Sequence, residues 1–168
     1  MTPKVTVLMP RDSSARQPMN SDPQTGDVAR LALEIIAKPE EVRGCFKDIH
    51  QAFEAAELPS ELRINTEVVL AEVLNNIAEH SYSDRPPGLI KMQLDLSDDG
   101  VWFLAVDDGK VMPNLTPPDP ELPEVDVELN DLPEGGFGWF LIRTLTADLE
   151  YSRVGTCNHL SARIPFDP

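Results

Sequence analysis

Apolar residues alternate with polar or small ones through "VARLALEIIA" from Val28, where Leu31, Leu33 and Ile35 oppose Ala32, Glu34 and Ile36. A period of two is that of a half-buried strand. Pro39 then stands where a helix accepts proline, in its first turn, and Val42, Phe46, Ile49, Phe53 and Ala56 follow on one helical face. Leu58-Pro59 ends this helix. Ser60 is placed to cap a second, running to about His80, with Leu70, Val73, Leu74 and Ile77 as its core stripe. From Leu89 to Leu96 the period returns to two, with Ile90, Met92, Leu94 and Leu96 on one face. "SDDG" turns the chain back into a second strand, Val101 to Val106, which runs into Asp107-Asp108-Gly109. Trp102 and Phe103 read as core residues of that strand. Lys110 to Glu134 has no period of either kind. Gly138 to about Asp148 reads as a third helix, buried through Phe140, Leu141, Leu145 and Leu149, and Leu149–Arg153 with Asn158–Ile164 forms a closing hairpin around Gly155. This order predicts an α+β fold, a two-layer sandwich with three helices on one face of a mostly antiparallel sheet of about four or five strands.

Length and composition narrow the picture further. A chain of 168 residues with 41% hydrophobic positions fits one domain with a real core. Residues 1–27 lack periodicity and read as a flexible amino-terminal tail, with Val5, Val7 and Leu8 suited to a short edge strand; residues 28–168 form the domain. The 29 acidic residues outnumber 14 basic ones, and the net charge of -15, with no basic cluster, argues against direct nucleic-acid binding. Cys45 and Cys157, the only cysteines, have neither zinc nor disulfide spacing and read as reduced thiols. No run of about 18 apolar residues exists, so a soluble cytoplasmic protein without a membrane segment is expected.

Three stretches carry candidate chemistry. In "AEVLNNIAEH" Glu72, Asn76 and His80 recur every fourth position, which lines up a carboxylate, an amide and an imidazole on one helix face. That face suits a metal-chelated phosphate beside a base, and it equally suits solvent. Asp107 ends an apolar strand two residues before Gly109; it can accept a hydrogen bond from an exocyclic amine or simply serve turn chemistry. Gly135, Gly136 and Gly138 precede a helix start, where free N–H groups attract anions, although tight packing uses the same residues.

A helix bearing E-x-x-x-N, a hairpin ending in D-x-G, a long loop, G-x-G opening a helix, then a last hairpin: this order resembles the GHKL (Bergerat) ATPase superfamily. Within it, "GGFGWFLIRTLTADLEY" is similar to the anti-sigma-factor serine/threonine kinases of bacterial partner-switching systems, and the match runs from about Leu31 to Phe166. The resemblance implies ATP and Mg²⁺ as cofactors and a lid at residues 110–134. Glu72 would be the catalytic or water-orienting carboxylate and Asn76 the Mg²⁺ ligand. Asp107 would hold the adenine amine, with Gly109 leaving space beside the ring, and Gly136 and Gly138 would let the lid end and the helix start wrap the phosphates. Thr156 stands where relatives carry a late threonine near adenine. The Trp139–Leu141 stretch would pack on the sheet away from ligand, and His80 would support the site without being its base.

The implied activity is sequestration of a sigma factor or equivalent regulator, together with phosphorylation of a serine or threonine on an anti-anti-sigma (STAS) antagonist. The alternative is a nucleotide-gated protein-binding module without kinase activity. Relatives commonly dimerise through the sheet, and a homodimer stays open here. Two departures bear on this choice. Val111 replaces the second glycine of the family's D-x-G-x-G, and residues 111–142 contain no Lys, Arg or His, which leaves Lys110, helix-end amides and Mg²⁺ to meet phosphate charge. The seven lid carboxylates suit a solvated loop or a docking surface for a basic partner.

Overall fold

Six strands build one antiparallel sheet: β1 (Lys4–Leu8), β2 (Ala29–Ile36), β3 (Leu89–Ser97), β4 (Gly100–Asp107), β5 (Ala147–Val154) and β6 (Cys157–Pro165), in the spatial order β1-β2-β3-β4-β6-β5. The computed structural model describes residues 4–8, 29–119 and 137–166, with backbone alone for 4–8 and 29. Alternation does the work that the sequence pattern assigns to it. Leu31, Leu94, Phe103 and Ala162 are in register across four strands, as are Leu33, Met92, Ala105 and Leu160, and all eight are buried. Helices α1 (Pro39–Ala55), α2 (Ser60–Asn76) and α3 (Phe137–Leu145) cover this one face. The α2 stripe of Leu70, Val73, Leu74 and Ile77 is buried against it, as its spacing predicts. No described helix is long and apolar enough to cross a membrane.

Several details differ from the sequence reading, each for a local reason. The sheet gains a sixth strand because Lys4–Leu8 pairs along the outer edge of β2; the rest of the expected tail lies outside the described residues. Trp102 is 37% exposed on the opposite face, since neighbours on a strand point to opposite sides and Phe103 takes the core. There the Arg163 guanidinium lies 5.6 Å from its ring centroid. In α1 Cys45 joins Val42, Ile49 and Phe53 in the core, while Ala56 is exposed. Its thiol lies 3.1 Å from the Val42 carbonyl, and burial pushes its pKa up to about 12, which makes it unreactive. Ser60 is the first residue of α2 and caps nothing; Pro59 precedes it in extended conformation. The third helix stops at Leu145, and β5 has already begun when Asp148, at φ 55°, bends the backbone. On α3 the fully buried side chain is Ile142, whereas Phe140 and Leu141 are half-buried.

The end of α1 yields a stability prediction. Glu57 has φ 53°, its amide donates to the Glu54 carbonyl and the Leu58 amide donates to the Phe53 carbonyl, both at 3.0 to 3.1 Å. This paired closure normally uses glycine, because an L side chain strains the left-handed region. Glu57→Gly should therefore stabilise the fold by about 0.5–1 kcal/mol. Thermal denaturation checks it: an unchanged or lower midpoint would show that Glu57 carries no strain there.

Candidate functional site

The alternation that puts Val101, Phe103 and Ala105 under the helices puts Asp107 there too, at the end of β4 and only 4% exposed. Its register partner on β6 is Asn158, also buried. Asp107 Oδ1 accepts hydrogen bonds from the Gly109 amide at 2.8 Å and from Asn158 Nδ2 at 2.9 Å. Oδ2 accepts none among the described residues. Burial raises the Asp107 carboxyl above the usual aspartate range, while the Asn158 and Gly109 donors and the Arg153 charge pull it back. The Asn158 amide has one workable orientation. Its Oδ1 accepts from the Tyr151 hydroxyl at 2.6 Å and from Arg153 Nη1 at 2.5 Å, so Nδ2 donates to Asp107 and, at 3.0 Å, to the Lys110 carbonyl.

Beyond Asp107 the chain leaves the sheet as a strap held by side chains. Tyr82, buried where the chain leaves α2, donates its hydroxyl to Asp108 Oδ1 at 2.7 Å and accepts from the Asp108 amide at 3.2 Å. Arg85 donates to the Asp108 carbonyl at 2.7 Å and Arg153 to the Gly109 carbonyl at 3.0 Å. The Lys110 amide donates to the Ser81 carbonyl at 2.8 Å, and the Met112 amide to the Tyr151 hydroxyl at 3.0 Å. Gly109 is pressed against Ser81: a Cβ here would lie 2.6 Å from the serine's Cβ and 2.7 Å from its carbonyl oxygen. Its small size thus serves the packing of the strap on the end of α2. That end is a π-helical turn, Ile77–Ser81, of the kind that often marks functional sites.

Glu72 and Asn76 lie one turn apart on α2, facing the start of α3. A Cβ on Gly138 would fall 2.5 Å from Glu72 Oε2 and 3.8 Å from Asn76 Nδ2, so a larger residue there would push the Glu72 carboxylate from its place. The glutamate thereby sits at the positive end of the α3 dipole. Among the described residues, Asn76 Nδ2 is buried without a hydrogen-bond partner. An unmet buried amide costs about 1–3 kcal/mol, and native folds rarely retain one unless something else fills the position.

Asn76 and Asp107 share a cavity of about 480 Å³, whose walls also include His80, Lys110, Trp139 and Asn158. This volume lies within the range of small-molecule sites. Of the residues singled out from sequence, Asn76 and Asp107 line the cavity, Glu72 and Gly138 adjoin Asn76, and Gly109 joins Asp107 to Lys110. Thr156 does not join them: it is exposed in the turn between β5 and β6, and Asn158, two residues on, is what meets Asp107. Gly136, with Gly135 before it, lies outside the described residues. Trp139 packs against the core and lines the cavity as well, instead of turning away from it. Basic side chains missing from residues 111–142 come from elsewhere in the fold, as Lys110 on the wall, with His80 as a ring donor or acceptor beside it, and Arg85, Arg143 and Arg153 on the strap. Asn158 was legible in principle, because it alternates in phase with Leu160, Ala162 and Ile164.

Residues 35–164 match the histidine kinase-like ATPase domain family. The chain belongs to that family. Among relatives of this histidine kinase-like ATPase domain, the serine-protein kinase RsbW of Oceanobacillus iheyensis is 26% identical over 126 residues, covering 71% of this chain and 77% of that protein. A solved histidine kinase domain from the blue-light activated histidine kinase of Erythrobacter litoralis EL346 is 24% identical, with a TM-score of 0.45 over 64% of this chain and 46% of its own.

Proposed function

We propose that this domain binds ATP in the cavity and transfers its γ-phosphoryl group to a serine or threonine of an anti-anti-sigma (STAS) antagonist, releasing itself to hold a sigma factor or equivalent regulator in the cytoplasm. One observation carries the reading: among the described residues, Asn76 Nδ2 is buried without a partner and Asp107 Oδ2 accepts no hydrogen bond, and both residues line a single cavity. Asp107 Oδ2 is an acceptor suited to an exocyclic amine, and the apolar Trp139 and Leu160 beside it suit a purine ring. At Asn76, turning the amide over presents Oδ1, a hard donor suited to Mg²⁺. Among the described residues no cluster of three or more His, Cys, Asp or Glu forms a metal centre, so Asn76 would share the ion with the phosphates. When bound, Mg²⁺ neutralises phosphate charge. Lys110 and His80 add positive or donor groups on the same wall. Glu72, one turn from Asn76, is placed to take the hydroxyl proton of an incoming serine or threonine. The RsbW relative, named as a serine-protein kinase, supports the choice of acceptor.

A second reading, nucleotide-gated partner binding without phosphoryl transfer, draws support from residues 111–142, which hold no Lys, Arg or His to meet the charge of a transferred group. Calorimetric titration with ATP, with and without Mg²⁺, tests what the two readings share. Binding should strengthen with Mg²⁺, and Asn76→Ala should lose about tenfold or more of that gain. No heat under any condition would sink both. Intact mass of STAS proteins incubated with the chain and Mg-ATP separates them: nucleotide binding without an added phosphate leaves the gate alone.

A further inference from the structure

The strap is fastened unevenly. Its near half, Asp108 to Met112, is tied to the body of the domain by Tyr82, Arg85, Ser81, Arg153, Asn158 and Tyr151. In the far half, Pro113–Asp119, the other hydrogen bonds among the described residues stay within the strap, such as the Leu115 amide to the Met112 carbonyl and the Thr116 amide to the Pro113 carbonyl. Asn114 and Leu115, at φ 57° and 53°, bend it through left-handed backbone, which asparagine tolerates and leucine does not favour. Among the described residues a single body side chain hydrogen-bonds to it. Arg143 on α3 donates Nε to the Pro118 carbonyl at 2.7 Å and Nη2 to the Pro117 carbonyl at 3.0 Å, and an ion pair to the exposed Asp119 at 3.5 Å adds to the grip.

The chemistry of this contact is specific. Consecutive prolines have no N–H and can only accept, and a guanidinium offers a planar fork of donors to two neighbouring carbonyls where an ammonium is a point charge. Pro113 and Pro118 both line the cavity, as does Trp139, one turn before Arg143 on the same helix. Helix α3 therefore supplies one wall of the cavity and the fastening for the strap that crosses it.

The geometry points to Arg143 as the positioning residue that seats the far half of the strap over the cavity and so sets how fast a bound nucleotide leaves. This rests on the nucleotide reading above, while the seating itself does not. Stopped-flow displacement of a fluorescent ADP analogue from the full chain tests the kinetic part. Arg143→Ala should speed dissociation about tenfold with association changed less than about threefold, and Arg143→Lys should fall between, because an ammonium serves one carbonyl well. Asp119→Asn should stay within about twofold, since an exposed ion pair adds little. Amide hydrogen exchange without nucleotide tests the seating: amides of residues 114–116 should exchange faster in Arg143→Ala and in Arg143→Lys. Wild-type dissociation in both Arg143 variants, or an equal acceleration in Asp119→Asn, overturns the kinetic role. If the wild-type chain binds no adenine nucleotide, the nucleotide reading falls, and unchanged exchange in both Arg143 variants then overturns the seating as well. Arg143→Lys keeps the charge and carries the test if the alanine variant fails to fold.

Discussion

Asp107→Asn should lose about 100-fold in ATP affinity while folding normally, and should bind inosine triphosphate relatively better than the wild type does. The reason lies in how the surroundings orient the new amide. The Gly109 amide and Asn158 Nδ2 both donate to the Oδ1 position, so an asparagine keeps both bonds by placing its oxygen there. Its NH₂ then points where Oδ2 was. A donor now faces the cavity in place of an acceptor, which opposes the 6-amino group of adenine and favours the 6-keto group of hypoxanthine. Asn158 cannot turn over to compensate, because Tyr151 and Arg153 hold its oxygen. Stability should not suffer, since the substitution removes a carboxylate whose burial disfavours its charge. The same burial predicts a pH dependence. The ionised carboxylate is the acceptor, and its pKa is raised, so wild-type ATP affinity should fall on acidification from a pH above the usual aspartate range, whereas Asp107→Asn should lack this slope. Calorimetry with ATP and inosine triphosphate across pH measures both effects. Wild-type ATP affinity in the variant would remove Asp107 from base recognition.

Glu72→Gln should slow phosphoryl transfer by about 10²- to 10⁴-fold, the usual weight of a general base. Nucleotide affinity should change by less than about threefold, because Glu72 lies beside Asn76 and off the cavity wall. Glutamine keeps the volume against which Gly138 packs, so the start of α3 should not shift. Single-turnover labelling of a STAS acceptor, read by intact mass, gives the rate, and calorimetry gives the affinity. An unaltered rate would show that the hydroxyl proton leaves by another route. Reduced affinity with an unaltered rate would make Glu72 a part of the binding wall.

Much of this arrangement was readable before any coordinate. The α+β layering follows from periods of two and 3.6 that hardly overlap, and the four-residue step from Glu72 to Asn76 survives because α2 is regular up to Asn76. The step on to His80 does not carry the same meaning. It crosses the π-helical turn at Ile77–Ser81, where side chains no longer repeat at α-helical intervals, yet His80 still reaches the cavity. Asp107 was legible because it ends an apolar strand. Asn158 is marked by its phase on β6, which puts it on the core face two residues past the exposed Thr156. Tyr82, Tyr151 and the arginines were not legible, since Tyr82 reaches the Asp108 carboxylate, Tyr151 the Met112 amide, and Arg85, Arg143 and Arg153 main-chain carbonyls, all far off along the chain. Trp102 shows the reverse limit: an aromatic in an apolar strand looks internal until its phase is set by the residue beside it.

The arginines around the cavity have a further consequence. Arg85, Arg143 and Arg153 each give hydrogen bonds to main-chain carbonyls between Asp108 and Pro118. None of the three lines the cavity among the described residues, and Arg85 and Arg153 grip carbonyls next to Asp107. They act as fasteners, engaged by backbone oxygens more than by carboxylates. Held in that way, the strap should keep its shape across a wide range of salt even in a chain of net charge -15.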